Sequence, residues 1–377
     1  MATTPDVVIV GAGVMGCGTA YWLTQAGYHV LILEQESVAH GASGMASAML
    51  ESVGHGTHVR LDDPLTELAE ASFAQHQIWG RLLPEETGID TGYREHVVIH
   101  PVFTESEWET RKPQADRLRR CSPRVEWLDG QDLREVEPRL NPEALGGIVM
   151  PQAQVLAERY VSALARAAQQ RGMVLRRDEV TGLERQSGRV TGVRLRQGET
   201  LPARTVVLAL GPWSQHVSDW LGLTIPIYPV RGQLVKLRVS DPQLRATLVY
   251  EGMYVVYKAD GMTLAGTTEE HNSGFDAQPT LEARATILDA ACWLAPSLGQ
   301  AEVVGQVAGL RPATSDGLPL IGPVPEWCGV YMIAGHFRSG MLLSPMSSRI
   351  IADLIVHGQS PLAMDAFDPG RFTRSGV

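Results

Sequence analysis

The stretch DVVIVGAGVMGCGTAYWLTQAGYHVLILE, Asp6 to Glu34, decides the fold. Its first apolar run, Val7 to Val10, is short and β-branched, which reads as a strand buried on both faces. GAGVMG follows, Gly11 to Gly16. Cys17 to Gln25 reads as a helix, with Gly27 as its stop signal. Val30 to Leu33 is a second buried strand, and Glu34 ends it. In such a unit Gly11 permits the tight turn, Gly13 lets backbone approach a pyrophosphate, and Gly16 lets the helix lie close on the strand. The free amides and positive end of the helix then face the phosphates. A carboxylate at Glu34 can accept both ribose hydroxyls of an adenosine. A free ribose diol favours FAD or NAD over NADP.

The chain around this unit has 377 residues, which at roughly 150 residues per domain suggests two domains. Hydrophobic residues are 44% and charged residues 20%, ordinary for a soluble globular protein. With 32 basic and 42 acidic side chains the formal charge is −10. That argues against a nucleic-acid binder or a ligand of anionic membranes. The densest basic cluster, Arg117, Arg119, Arg120 and Arg124, is short and polar in its surroundings, so it reads as a solvated face. No apolar run approaches about 18 residues, so no membrane span is expected. The start, MATTPDVVIV, lacks a basic leader and does not read as a secretory signal. Cys17, Cys121, Cys292 and Cys328 show neither a CxxC spacing nor a nearby histidine pattern. They read as free thiols of a cytoplasmic protein, with no metal site.

Further along, Pro64 to Leu82, Leu156 to Arg171 and Leu281 to Leu294 read as helices. Glu105 to Arg120 reads as a polar helix interrupted near Pro113. Val97 to Phe103, Val180 to Arg185, Arg189 to Arg196 and Thr205 to Leu210 read as strands. From Ile225 to Gly266 strands alternate: Gln233 to Val239, Thr247 to Val249, Met253 to Lys258 and Met262 to Ala265, with a hairpin turn at Asp260-Gly261. The chain closes with a strand, Val330 to Ala334, the loop GHFRSG and a helix. The expected fold is α/β: a Rossmann-like dinucleotide-binding domain of the GxGxxG type, with an inserted α+β substrate domain containing an antiparallel sheet. The first domain is expected from residues 1–82, 147–224 and 301–377, the second from 83–146 and 225–300.

Three later segments carry chemistry. GASGMASAML, Gly41 to Leu50, is small enough for backbone to lie against a large flat ligand. AGLRPATSDGLPLIG, Ala308 to Gly322, holds Arg311 between apolar neighbours. AGHFRSGMLLSP, Ala334 to Pro345, holds His336 and Arg338 in a loop. A helix starting near Gly340 would aim its positive end at a developing anion, as a reduced flavin requires. Two arginines in apolar, glycine-bounded loops suggest a carboxylate clamp, because guanidinium binds carboxylate bidentately. Tyr254, in EGMYVVYK on the antiparallel sheet, can reach the same carboxylate. No aspartate or glutamate presents itself beside the arginines.

On DVVIVGAGVMG, SGMASAML, VVLALGPWS (Val206 to Ser214), PVRGQ (Pro229 to Gln233), AGLRP and GHFRSGMLLSP, the chain resembles the D-amino-acid oxidase-like family of FAD-dependent amine oxidoreductases, most of all its glycine oxidase branch. The resemblance implies that Gly11, Gly13, Val14, Met15, Gly16, Glu34, Gln35, Ser43, Ala48, Met49, Gly211 and Trp213 line FAD. Val180 matches the valine whose backbone meets the adenine. His336, Ser339, Gly340, Met341 and Leu342 would line the flavin ring. Arg311, Arg338 and Tyr254 match the substrate residues. Relatives with covalent flavin carry a cysteine near the GLRP segment. Arg311 to Gly322 has none, so the resemblance implies non-covalent FAD. Glu269 or a neighbour stands where some members carry a pocket methionine.

The implied reaction is oxidation of glycine or a similar small amine acid (sarcosine or a small D-amino acid) by hydride transfer. Products would be the imine or glyoxylate, ammonia and hydrogen peroxide, with dioxygen as acceptor. The resemblance also implies a homo-oligomer, a tetramer, and hand-off to a thiazole synthase in thiamine biosynthesis. Alternatives are a dehydrogenase passing electrons to another acceptor, a flavin subunit of a larger complex, and an NAD enzyme sharing only the first motif.

Overall fold

The computed structural model describes residues 4–51, 64–240 and 244–372. The opening unit forms as its residues dictate: strand Val7–Val10, helix Val14–Gln25, strand Val30–Glu34. The two strands pair in parallel, Val7 opposite Val30 and Val10 opposite Leu33. Val206–Leu208 pairs with the other edge of Val7–Val10, also in parallel. The six-stranded sheet runs Leu320–Pro323, Val330–Ala334, Val206–Leu208, Val7–Val10, Val30–Glu34, Val174–Arg177. Only Leu320–Pro323 is antiparallel to its neighbour. Helices Val14–Gln25, Pro64–Thr87, Ala157–Gln170 and Gly340–His357 cover one face. The other face packs on an antiparallel meander of Val180–Gln186, Arg189–Leu195 and Thr200–Pro202. A sheet buried on both faces is why its strands read as unbroken apolar runs.

A second, nine-stranded sheet stands beside it. Its order is Glu302–Thr314, Ile227–Arg238, Thr263–Gly266, Met253–Tyr257, Thr247–Tyr250, Arg94–Val102, Gly146–Gln154, Met49–Leu50, with Glu126–Asp129 also on Gly146–Gln154. Its pairs are antiparallel except Thr247–Tyr250 against Arg94–Val102. Helix Leu281–Leu294 seals one face by burying Ile287, Ala291 and Leu294 against Val235, Leu248 and Val255.

The structure amends three expectations and adds the form of one segment. Residues 147–154 and 302–314, expected with the first domain, are strands of the second sheet. The helix Glu105–Cys121 runs through Pro113 without a break. Proline removes the bond to the Glu109 carbonyl, and that residue is exposed, so solvent can take the place of the missing donor. Arg311 lies on the strand Glu302–Thr314 and not in a loop. Gly41 to Leu50 is a run of turns ending in a short strand.

Candidate active site

The glycine turn ends against the N-terminus of helix Val14–Gln25. Gly11 has φ +106°, and a side chain there would strike the carbonyl of Ala209. A side chain at Gly16 would strike the carbonyl of Gly11. Both therefore have to be glycine for helix and strand to meet. Val14 N donates to Ser43 Oγ at 3.0 Å, so a residue from the small segment caps the helix. The Glu34 carboxylate accepts Ala12 N at 2.8 Å and Glu36 N at 2.9 Å. A carboxylate offers about four lone-pair sites, so lone pairs remain for a ribose diol.

These groups open on a cavity of about 1090 Å³, just above the range of roughly 300–1,000 Å³ for small-molecule sites. Glu34, Gln35 and Val180 line it. So do Gly11, Gly13, Val14, Met15, Ser43, Gly211 and Trp213, with Ala48, Met49, His336, Gly340 and Met341. Tyr254, Arg311 and Arg338 also belong to the wall. One space thus brings together residues from both sheets. Gly16, Ser339 and Leu342 lie outside the wall. Gly16 is covered by the turn, Ser339 stands at the N-cap position of the closing helix, and the Leu342 carbonyl faces His76.

Arg311 is placed by strand register. It sits opposite Val230, and its guanidinium lies over Gly232, where a Cβ would overlap it. Nη1 donates to Thr268 O at 3.0 Å and Nη2 to Thr267 Oγ1 at 2.6 Å. Burial lowers the Arg311 guanidinium from its ordinary value, and the nearby Tyr254 phenol counters this. Phe337 N donates to Pro312 O at 2.8 Å, tying the segment after Arg311 to the segment before Arg338. That bond is why two distant motifs present arginines to one place. Arg338 is half-exposed and pairs with Glu269 Oε2 at 3.5 Å. An acid does stand beside the arginines, against expectation. The contact is invisible in sequence because Glu269 comes from the loop after the strand Thr263–Gly266.

Tyr254 is buried opposite Gly266. Burial pushes its phenol up, while the Ser47 hydroxyl and the charges of Arg311 and Arg338 pull it down. His336 is buried, its Nε2 lies 3.0 Å from Ser347 Oγ, and burial pushes it down to about 3. The imidazole is neutral at pH 7. Gly340 opens the closing helix at the cavity, and no acidic residue occupies its first turn. Its positive end therefore favours negative charge at that point.

Sequence reasoning missed Thr267, Thr268, Ser47 and Lys258. Lys258 is buried and its Nζ donates to Ser47 O and Val155 O, each at 2.8 Å. Burial pushes its ammonium down to about 7. Val155 N in turn donates to Ala48 O at 3.1 Å. Ala48 holds φ +52° on the cavity wall. The lysine thus fixes the small segment from behind; the one sequence signal was a lone lysine ending an apolar strand.

Residues 6–354 match the family model DAO, FAD dependent oxidoreductase. Glycine oxidase of Geobacillus kaustophilus (strain HTA426) is 34% identical over 367 residues, 96% of each chain. The crystal structure of glycine oxidase from Geobacillus kaustophilus superposes with a TM-score of 0.91 at 32% identity, covering 98% of this chain and 99% of that one. The bifunctional protein ThiO/ThiG of Synechocystis sp. (strain ATCC 27184 / PCC 6803 / Kazusa) is 31% identical over 99% of this chain and 55% of its own length. The glycine-lined helix terminus, the strand-end acid and the cavity fit FAD.

Proposed function

The chain belongs to the DAO family of FAD dependent oxidoreductases, and from that premise we propose that it oxidises glycine or a comparably small amine acid. The observation that carries this reading is the pair Arg311 and Arg338 at the wall of the cavity that fits FAD. Guanidinium pairs are suited to a carboxylate, and the similarity to glycine oxidases favours a small substrate. On this reading Glu34, Gln35 and Val180 hold the adenosine end, and Gly13 with the amides of Val14 and Met15 holds the pyrophosphate. Met49, His336, Gly340 and Met341 hold the ring end.

FAD supplies, when bound, the acceptor for a hydride from the substrate Cα and passes both electrons to dioxygen. Arg311 and Arg338 bind the carboxylate and fix the orientation of the Cα, and the raised phenol of Tyr254 stays protonated to donate beside them. The substrate binds with a neutral amine, so no side-chain base is required once the reacting atoms are positioned. Loss of the hydride and of one amine proton leaves the imine. Water then releases ammonia and glyoxylate. Among the described residues of the cavity wall there is no cysteine, in keeping with FAD held non-covalently. The match to one part of a bifunctional ThiO/ThiG chain supports hand-off of the imine to a thiazole-forming enzyme.

The test is the absorbance spectrum under anaerobic conditions as glycine, sarcosine and D-proline are added in turn. Bleaching, with recovery and peroxide on admitting air, is the expected result. Bleaching with slow recovery in air replaces the oxidase by a dehydrogenase. No bleaching by any of the three sinks the small-amine-acid reading.

A further inference from the structure

Glu269 faces the arginine pair, and its neighbours serve other ends. Its Oε2 lies 3.5 Å from Arg338 Nη1 and its Oε1 lies 2.9 Å from His271 Nε2. The two residues before it hold Arg311, through Thr267 Oγ1 and Thr268 O. One short segment thus contacts both arginines. The adjacent acid, Glu270, is engaged elsewhere. It accepts from Arg231 at 2.8 Å, from Gln233 at 2.7 Å and from Thr268 at 2.6 Å. Arg231 further holds Asp276, so both ends of this loop are anchored to strand Ile227–Arg238. The backbone that carries Glu269 is therefore anchored on both sides, at Thr267 and Thr268 before it and at Glu270 after it. Glu269 is also among the charges that act on Arg311.

Two guanidinium cations and one carboxylate leave a formal excess of one positive charge at the clamp. We propose that Glu269 is a specificity-determining residue that restricts this site to ligands bearing a single carboxylate. One carboxylate neutralises the excess. A second one meets Glu269 at close range and finds Arg338 already paired, which is rejection by a repulsive element in addition to selection by an attractive one. The inference rests on reading Arg311 and Arg338 as a carboxylate clamp.

The experiment is calorimetric titration of the FAD-loaded protein with acetate and with malonate, which differ by one carboxylate and need no turnover. Wild type is compared with Glu269→Gln and Glu269→Ala, and retained flavin absorbance reports that each variant is folded. The malonate-to-acetate affinity ratio is expected to rise about tenfold in both variants. Acetate binding to wild type with an unchanged ratio in both variants overturns the role of Glu269 and leaves the clamp standing. Failure of FAD-loaded wild type to bind acetate at all overturns the clamp, and the proposal with it. Turnover supplies a second readout: the kcat/KM of iminodiacetate relative to sarcosine, which lacks only the second carboxylate, should rise in the same variants.

Discussion

His76 Nε2 lies 3.0 Å from the carbonyl oxygen of Met341, a carbonyl that Pro345 leaves without its helical partner. Proline has no N–H to give, so the first turn of the closing helix lacks a bond where it borders the cavity. Ser344 Oγ donates to the same oxygen at 2.9 Å, and the Leu342 carbonyl lies 3.0 Å from the same imidazole nitrogen. Both neighbours of Nε2 are acceptors, so Nε2 carries the proton and Nδ1 accepts from Tyr160 O–H at 3.1 Å. A relay of side chains from helices Ala157–Gln170 and Pro64–Thr87 thereby sets the start of the helix that opens on the cavity with Gly340 and Met341.

Replacing His76 by Phe keeps much of the volume and removes both polar roles. Stranding the Tyr160 hydroxyl and weakening the two carbonyls should cost roughly 1–3 kcal/mol. Urea unfolding of the FAD-loaded protein measures it, and an unaltered midpoint would show that the relay carries no energy. The dissociation constant of FAD should rise in parallel.

Acid should destabilise the fold through its buried histidines. Burial pushes His76 and His96 down to about 4 and His336 to about 3. Each folded value lies below the ordinary 6.5, so the unfolded chain binds these protons first as pH falls. Their contribution is fully present above pH 6.5 and is lost as pH falls through about 4. The slope should approach roughly 1.4 kcal/mol per pH unit for each histidine that stays neutral when folded. Unfolding midpoints at pH 7, 6, 5 and 4 test this against His76→Phe, whose curve should be shallower by one histidine.

Lys258 gives the same sign in an alkaline window. Its folded value of about 7 is depressed from 10.5, so its contribution is complete above pH 10.5 and is lost as pH falls through 7. Wild type should gain stability relative to Lys258→Met between pH 7 and 10.5. Parallel pH profiles for the two proteins would refute the assignment.

Ser43→Ala removes the acceptor for Val14 N. The helix should lose about 1 kcal/mol of capping, read as a lower melting temperature. Affinity for FAD should fall at the same time, because the capped amide belongs to the terminus that we assign to the pyrophosphate. A lower melting temperature with unchanged FAD affinity would separate the cap from the cofactor.

The two arginines should differ in steady-state kinetics. Arg338 is 43% exposed at its side chain, and screening limits its contribution, so Arg338→Ala should raise KM by about tenfold with FAD retained. Arg311 is largely buried and bonded to Thr267 and Thr268, so Arg311→Met should raise KM by more, about thirtyfold or beyond. Equal and small effects at both positions would remove the clamp.

Much of this was legible in the residues alone. The strand, glycine turn, helix and strand of Val7 to Glu34 form in the expected order, with the helix starting at Val14, three residues before the expected Cys17, and the helix Leu281–Leu294 and strand Val330–Ala334 keep their expected ends. Those signals are local: apolar runs, helical stops and glycines that no other residue can replace in a tight turn. They determined the α/β class and the dinucleotide-type terminus; the longer list of site residues came through the family resemblance, and Gly16, Ser339 and Leu342 of that list lie outside the cavity wall. What the sequence did not reveal was where long strands pair. Only the ladder of Ile227–Arg238 with Glu302–Thr314 sets Arg311 over Gly232. Only folding brings Glu269 to Arg338, His76 to Met341 and Lys258 to Ser47. Each of these contacts joins residues far apart in the chain. Their geometry is set by the register of packed sheets and helices, and register is a property of the assembled core that no single segment encodes.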